Sequence, residues 1–262
     1  EEATAGVAPG TLDLLVLPEG FLPGAVETPV AAQGREILKS LVRELQVPVL
    51  FGGQGGTESG GPRALPTNSA FLLPVPPDTL LRYDKSRLVP AMEIGRYDPG
   101  TGAVALETGS LRVGPLICYE SLFGSLARAS RRRGGQMLVN LSSDIWFGNR
   151  GSLPGNLFLR QHPAHLVLRA VEQRVPVARA GNGGYTFLMD PVGRYVAGPV
   201  LGAGVSAIAT VPILGKPTLF SRTGDWVGPC AILFCVGFLT LAWRRGARAA
   251  PGGTRSASPR LQ

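Results

Sequence analysis

Leu111-Arg112-Val113-Gly114-Pro115-Leu116-Ile117-Cys118-Tyr119-Glu120 is the stretch from which the rest of the chain can be read. Its apolar, partly β-branched run predicts a buried strand that carries Cys118 to a strand end, with Glu120 two places on. A sharp turn there would present the sulfur to a pocket. A thiol is mostly protonated near neutral pH, so a nucleophilic cysteine needs a neighbour that takes or stabilises its proton. The other two cysteines, Cys230 and Cys235, fall inside an apolar segment near the C-terminus, and the three give no disulfide framework.

Two other stretches offer such a neighbour. Leu12–Glu19 (Leu-Asp-Leu-Leu-Val-Leu-Pro-Glu) reads as a strand that ends in a carboxylate after a proline. Leu80–Pro90 reads as another, with Lys85 following its apolar part. A carboxylate, a lysine and a cysteine at three strand ends make a general base, a cationic stabiliser and a nucleophile. Each alone has a plainer reading: a solvated loop carboxylate, a surface lysine, an inert buried thiol. The three in this order are far more specific.

Among the 262 residues, hydrophobic types make up 44% and charged types 17%, which excludes a disordered chain and allows one sizeable core. The net charge of +8 comes with basic residues crowded at Arg128–Arg133 and after Trp243. No nucleic-acid module accompanies them, so anionic lipid headgroups are the expected counterpart rather than nucleic acid.

Strands are expected at Val47–Phe51, Asn68–Leu73, Thr79–Tyr83, Gln136–Asn140, Val175–Ala180, Tyr185–Met189 and Tyr195–Ala197, with a last one at Ala207–Val211. Ala103–Glu107 and Leu111–Ile117 read as a hairpin. Helices are expected over Pro29–Leu45, with Ile37, Leu38, Leu41, Val42 and Leu45 on its apolar face, over Leu122–Arg133, and over Ala164–Arg174. Gly52–Pro66 reads as a flexible loop without a phosphate-binding pattern. His162 and His165 flank Pro163, which spoils their helical presentation, and no third ligand suggests a metal. Arg169 and Glu172 read as a structural ion pair. Alternating strands and helices give an α/β class.

Val227–Trp243 carries no charge and, at about 17 residues, sits at the short end of what spans a bilayer. Trp226 and Trp243 bracket it, and Arg244, Arg245 and Arg248 follow. This predicts a transmembrane helix with a cytoplasmic C-terminus and the preceding domain outside the cytoplasm. The Pro-, Gly-, Ser- and Arg-rich tail over 244–262 reads as disordered. The polar start, Glu1-Glu2-Ala3-Thr4, carries no signal peptide and no methionine, and reads as a cut inside a longer chain.

The order Glu19, Lys85, Cys118 resembles the nitrilase (carbon–nitrogen hydrolase) superfamily. The local words resemble its apolipoprotein N-acyltransferase branch: Leu-Pro-Glu at 17–19, Tyr-Asp-Lys at 83–85, Leu-Val-Pro at 88–90, Glu93, and Cys-Tyr-Glu at 118–120. Asn140–Gly148, Asn182-Gly183 and Asp190–Arg194 fit as well, so the likeness runs from Leu12 to Trp243. The resemblance implies an α-β-β-α sandwich over residues 11–215 followed by one transmembrane helix. It implies an enzyme without a cofactor that loads a phospholipid acyl chain on Cys118 and passes it to the N-terminal amine of an apolipoprotein. Such an enzyme works in the bacterial inner membrane, and a monomer is expected. Glu19 would be the base, Lys85 the oxyanion stabiliser, and the Tyr119 N–H a second donor. Glu93 and Glu120 are supporting carboxylates, or else structural ion-pair partners; Trp146 and Phe147 wall the acyl pocket, or else are plain core. Family members carry several transmembrane helices before this domain and a first strand well ahead of Glu19. Neither is in this chain, so an unpaired sheet edge is expected and activity of the chain alone is open. A small-amide hydrolase and a silent membrane-anchored fragment stand as alternatives.

Overall fold

The computed structural model describes residues 7–56, 65–109, 111–147 and 153–249, which form one unit up to Arg222 and a second from Thr223. In the first unit two sheets face each other. In one, β1 (Leu15–Val16) and β2 (Leu22–Ala25) lie one after the other along the same side of β3 (Val49–Gly55), both parallel to it. β4 (Thr67–Leu73) and β5 (Leu81–Asp84) continue that sheet antiparallel. The other runs β11 (Tyr195–Leu201), β10 (Tyr185–Met189), β9 (Val177–Asn182), β8 (Met137–Ser143), β7 (Leu111–Ile117), β6 (Leu106–Thr108). Its central strands β7, β8 and β9 are parallel.

Period-two alternation makes the layers. Leu50, Ala70, Leu72 and Tyr83 of the first sheet meet Val113, Ile117, Val139 and Leu141 of the second in an inner core. The intervening residues point outward. Val49, Phe51, Phe71 and Leu73 pack against Leu38 and Val42 of α1 (Ala32–Leu45). Leu116, Leu138, Val177 and Phe187 pack against α2 (Gly124–Arg132) and α3 (Leu153–Gln173) through Leu126, Ala127, Leu166 and Ala170. The order of layers is α-β-β-α, as the resemblance implied.

Several expectations need correction. The Gly-rich stretch begins as strand, since β3 runs through Gly55; residues 57–64 of that expected loop lie outside the described residues. Ile37 is 63% exposed, because the buried stripe of α1 falls on Leu38, Val42 and Leu45, one position round. α3 starts eleven residues before the expected Ala164 and passes through Pro163. One buried stripe holds it on both sides of the proline: Leu159 and His162 before, Leu166, Arg169, Ala170 and Gln173 after. Ala207–Val211 is no strand; β11 already ends the sheet, and Val211 instead packs on the inner core.

The first unit closes on α4 (Leu219–Thr223), whose last residue opens the second, and the second unit holds α5 (Val227–Ala249). Over Val227–Arg245 α5 is long and apolar enough to cross a membrane, with mean hydropathy 1.7. Ile232, Leu233, Phe234, Phe238 and Leu239 are all exposed, so the helix is apolar around its circumference and not on one packed face.

Candidate active site

The break between β1 and β2 makes the first part of the site. Pro18-Glu19-Gly20 bridges it, and Gly52 of β3 donates its N–H to the Pro18 carbonyl at 3.1 Å. A Cβ on Gly52 would stand 2.6 Å from Glu19 Cα, so glycine there is what lets the carboxylate's backbone lie against the strand. The carboxylate is then fixed from both sheets. Asn68 of β4 donates to Oε1 at 2.7 Å, and the Ser143 N–H at the end of β8 donates to Oε2 at 2.8 Å.

Lys85 follows the last residue of β5, its N–H held by the Asn68 carbonyl at 2.8 Å. Its side chain is only 1% exposed, with Nζ 2.8 Å from Glu93 Oε1 and 3.6 Å from Glu19 Oε1. Asn68 also donates to Glu93 Oε1 at 2.9 Å, and the Val89 N–H caps Glu93 Oε2 at 2.8 Å. Burial works against the lysine's charge, but Glu19, Cys118 and Glu93 outweigh it and hold the ammonium above its ordinary range.

Cys118 comes at the end of β7 with φ +48°, a left-handed backbone that turns the chain at once into a 3-10 turn over Cys118–Leu122. Burial, reinforced by the nearby Glu19 charge, pushes its thiol up to about 12. Two carboxylates and one ammonium surround a neutral thiol. Moving its proton to Glu19 leaves the net charge of the group at −1, so proton transfer creates no additional buried charge.

Glu120 is completely buried and acts as a strut. Oε2 accepts the Ile117 N–H at 2.8 Å, while Oε1 takes the Tyr83 hydroxyl and the Ser86 N–H at 2.8 Å and the Arg87 N–H at 3.1 Å. It ties the nucleophile's turn to the loop just after Lys85. No cation pairs with it among the described residues, so it is a hydrogen-bonded support and not an ion-pair partner.

Glu19, Lys85, Glu93, Cys118, Tyr119, Trp146 and Phe147 all line one cleft of about 880 Å³; Glu120 does not. Phe147 stacks on Phe158 with centroids 5.8 Å apart, and Trp146 is 65% exposed at the mouth with Ile145 beside it. Gly148, the last residue of that sequence word, lies outside the described residues.

Sequence reading missed Asn68, which bridges both carboxylates, and a buried polar group below β8. Arg179 pairs with Asp144 Oδ2 and donates to Asn140 Oδ1; Asp144 Oδ1 takes the Ser142 hydroxyl at 2.8 Å and lies 3.2 Å from His162 Nδ1. Burial would raise Asp144, but His162 and Arg179 outweigh it and hold it at about 2. Asn140 in turn donates to the Leu116 carbonyl at 3.1 Å, steadying the strand that carries the cysteine. An arginine in the middle of the apolar run Val177-Ala178-Arg179-Ala180 is the one signal that could have pointed to a buried partner. His162 joins the cleft wall while His165 does not, and Arg169 and Glu172 pair at 2.7 Å. No group of three or more His, Cys, Asp or Glu placed to hold a metal ion is found among the described residues.

Residues 1–213 match the family model for carbon–nitrogen hydrolases. The chain is 39% identical over 204 residues to an apolipoprotein N-acyltransferase of Geobacter metallireducens, a match covering 71% of this chain and 37% of that protein. It is 32% identical to one of Caulobacter vibrioides, covering 89% of this chain and 47% of that protein. It therefore spans less than half the length of these curated relatives. Among solved structures, a carbon–nitrogen hydrolase from Helicobacter pylori G27 superposes with a TM-score of 0.60 at 16% identity, over 71% of this chain and 72% of that one. An amidase from Nesterenkonia sp. gives 0.55 at 22% identity, over 73% and 75%. At these identities the two structures speak for the fold. With its sandwich layers and the family match over most of its length, the chain belongs to the carbon–nitrogen hydrolase family, among relatives named apolipoprotein N-acyltransferase.

Proposed function

We propose that this chain carries the acyl-transfer centre of an apolipoprotein N-acyltransferase, with Glu19, Lys85 and Cys118 as its catalytic residues. The observation that carries the reading is their meeting in one cleft whose mouth is apolar. Glu19 takes the thiol proton as sulfur attacks the ester carbonyl of a phospholipid. The tetrahedral oxyanion forms beside Lys85, with the Tyr119 N–H as second donor. Collapse breaks the ester C–O bond, and the departing alkoxide of the lysophospholipid receives the proton from Glu19. In the second half, the N-terminal amine of a lipid-modified apolipoprotein attacks the thioester carbonyl. Glu19 takes the amine's proton, the C–S bond breaks, and the proton returns to sulfur, leaving an amide. Glu93 orients Lys85. Ile145, Trp146 and Phe147 give acyl chains an apolar approach, which favours transfer between lipids over hydrolysis of small amides.

In this reading residues 11–215 are the catalytic domain on the extracytoplasmic side of the bacterial inner membrane. Residues 227–243 cross the membrane, the tail from 244 is cytoplasmic, and the protein works as a monomer without a cofactor.

The test is incubation of the enzyme with labelled phospholipid and no acceptor. A hydroxylamine-labile acyl group is expected on Cys118 and is lost in Cys118→Ala. Lys85→Met should slow loading by ~10²–10³. Label on Cys230 or Cys235, or loading that survives Cys118→Ala, would sink the mechanism. A reporter after Arg248 should read as cytoplasmic and one inserted between Gly52 and Pro66 as extracytoplasmic; both on one side would sink the topology.

A further inference from the structure

A second hollow, of about 450 Å³, lies on the first unit and is lined by Arg131, Arg132, Gly215, Pro217, Ser221 and Arg222. None of these residues lines the acyl-transfer cleft. The two segments that form it, 124–133 and 211–222, contain Arg128, Arg131, Arg132, Arg133, Lys216 and Arg222, and no Asp or Glu. Two of the arginines hold the structure together through neutral carbonyls. Arg131 donates to Leu214 and Gly215 oxygens at 3.0 Å, and Arg128 donates to the Ser221 oxygen at 2.9 Å. A carbonyl accepts the hydrogen bond without cancelling the charge. Burial also pulls Arg131 below the usual guanidinium range, so its charge stands there at a cost. Arg132 and Arg222 are exposed, and their guanidinium groups have no partner among the described residues.

Arg222 precedes Val227, where the apolar span begins, by five residues. Five residues of chain reach at most about 18 Å, a bound set by covalent geometry alone. A residue so tethered to a membrane entry stays within reach of the headgroup layer. We propose that this hollow binds the phosphate of an anionic phospholipid headgroup, at a site separate from the acyl-transfer cleft. The proposal rests on the membrane reading given above.

The test uses the full chain in phosphatidylcholine nanodiscs with a trace of spin-labelled phosphatidylglycerol or spin-labelled phosphatidylcholine. Electron paramagnetic resonance reads the fraction of label restrained by the protein. Two guanidinium contacts to an anionic lipid correspond to a preference for phosphatidylglycerol of about tenfold or more. That preference should fall to near parity in Arg132→Gln/Arg222→Gln and persist in Arg132→Lys/Arg222→Lys, with melting temperatures unchanged. A preference that the Gln pair retains overturns the site. Excess inorganic phosphate that erases the preference in the unaltered chain makes free phosphate the ligand and overturns the lipid assignment. Acyl loading of Cys118 on the same discs separates this proposal from the transfer reading: loading without a lipid preference removes only the anion site. A chain that does not stay in the discs removes the membrane reading and this site with it.

Discussion

From the first sheet the cleft receives Glu19, Lys85 and, through the loop after β5, Glu93; from the second it receives Cys118 and Ser143, with Asp144 and Arg179 buried behind them. On the first side three charges face one another across short gaps, and all three remain on the cleft wall. On the second side the charges are matched and sealed off, while a neutral thiol and a backbone N–H reach the cleft. The difference teaches a division of labour. In the proposed mechanism one sheet carries the proton chemistry, and the other uses its charges to hold geometry. A change at Glu19 should therefore cost rate before stability, and a change at Asp144 or Arg179 should cost stability first.

The largest effect that would break this comparison lies at Glu19. Glu19→Gln keeps the shape and removes the proton acceptor, so acyl loading should fall by ~10²–10⁴ with an unchanged melting temperature. A large loss of stability in this variant would mean that the first sheet also depends on its charges. Asp144→Asn is the opposite case. It leaves Arg179 buried without its counter-charge and should lower unfolding free energy by about 3–5 kcal/mol in urea titrations. The pH dependence gives an independent check. Asp144 is depressed in the folded chain, so its contribution, about 2 kcal/mol, is fully present above pH 4. It is lost as pH falls from 4 towards 2, and over that range the stability gap between the parent chain and Asp144→Asn should narrow. A gap that widens on acidification would reverse the argument.

Gly52→Ala sharpens the comparison, because it touches Glu19 without touching a charge. Its Cβ would press on Glu19 Cα and on the Pro18 oxygen, at 2.6 and 2.8 Å. A loss of about 1–3 kcal/mol is expected, together with a fall in loading that exceeds what partial unfolding accounts for. The smallest effect belongs to Trp146→Ala. An exposed side chain at the mouth should leave stability within about 0.5 kcal/mol. Loading from long-chain phospholipids should fall, while loading from short-chain, water-soluble esters should hold. Equal losses with both donors would remove the apolar mouth from the argument.

The strands were legible as short apolar runs, as at Leu111–Ile117 and Asn68–Leu73, the sandwich came from the resemblance, and the catalytic candidates were legible because each follows an apolar run. Asn68 was hidden, since a polar residue at a strand's end reads as solvent-facing until the opposite sheet is placed over it. Gly52 and Gly53 read as loop because glycine is a poor strand former, yet the close approach of Glu19 is the reason the strand contains one at position 52. Asp144 and Arg179 lie on neighbouring segments 35 positions apart, and no local pattern joins them. Glu120 read as a supporting carboxylate or else an ion-pair partner; its ring of donors decides for hydrogen-bonded support.

The left-handed turn at Cys118 bears on how such a protein can decay. An L side chain held at φ +48° costs of order 1–3 kcal/mol, which a glycine would not incur. Cys118→Gly should therefore give a dead chain whose backbone is more at ease than the native one. Once selection for the thiol relaxes, mutation at this position has a downhill route away from function. Under the proposed mechanism, relatives that have abandoned the reaction should be found with glycine there before they lose the sandwich.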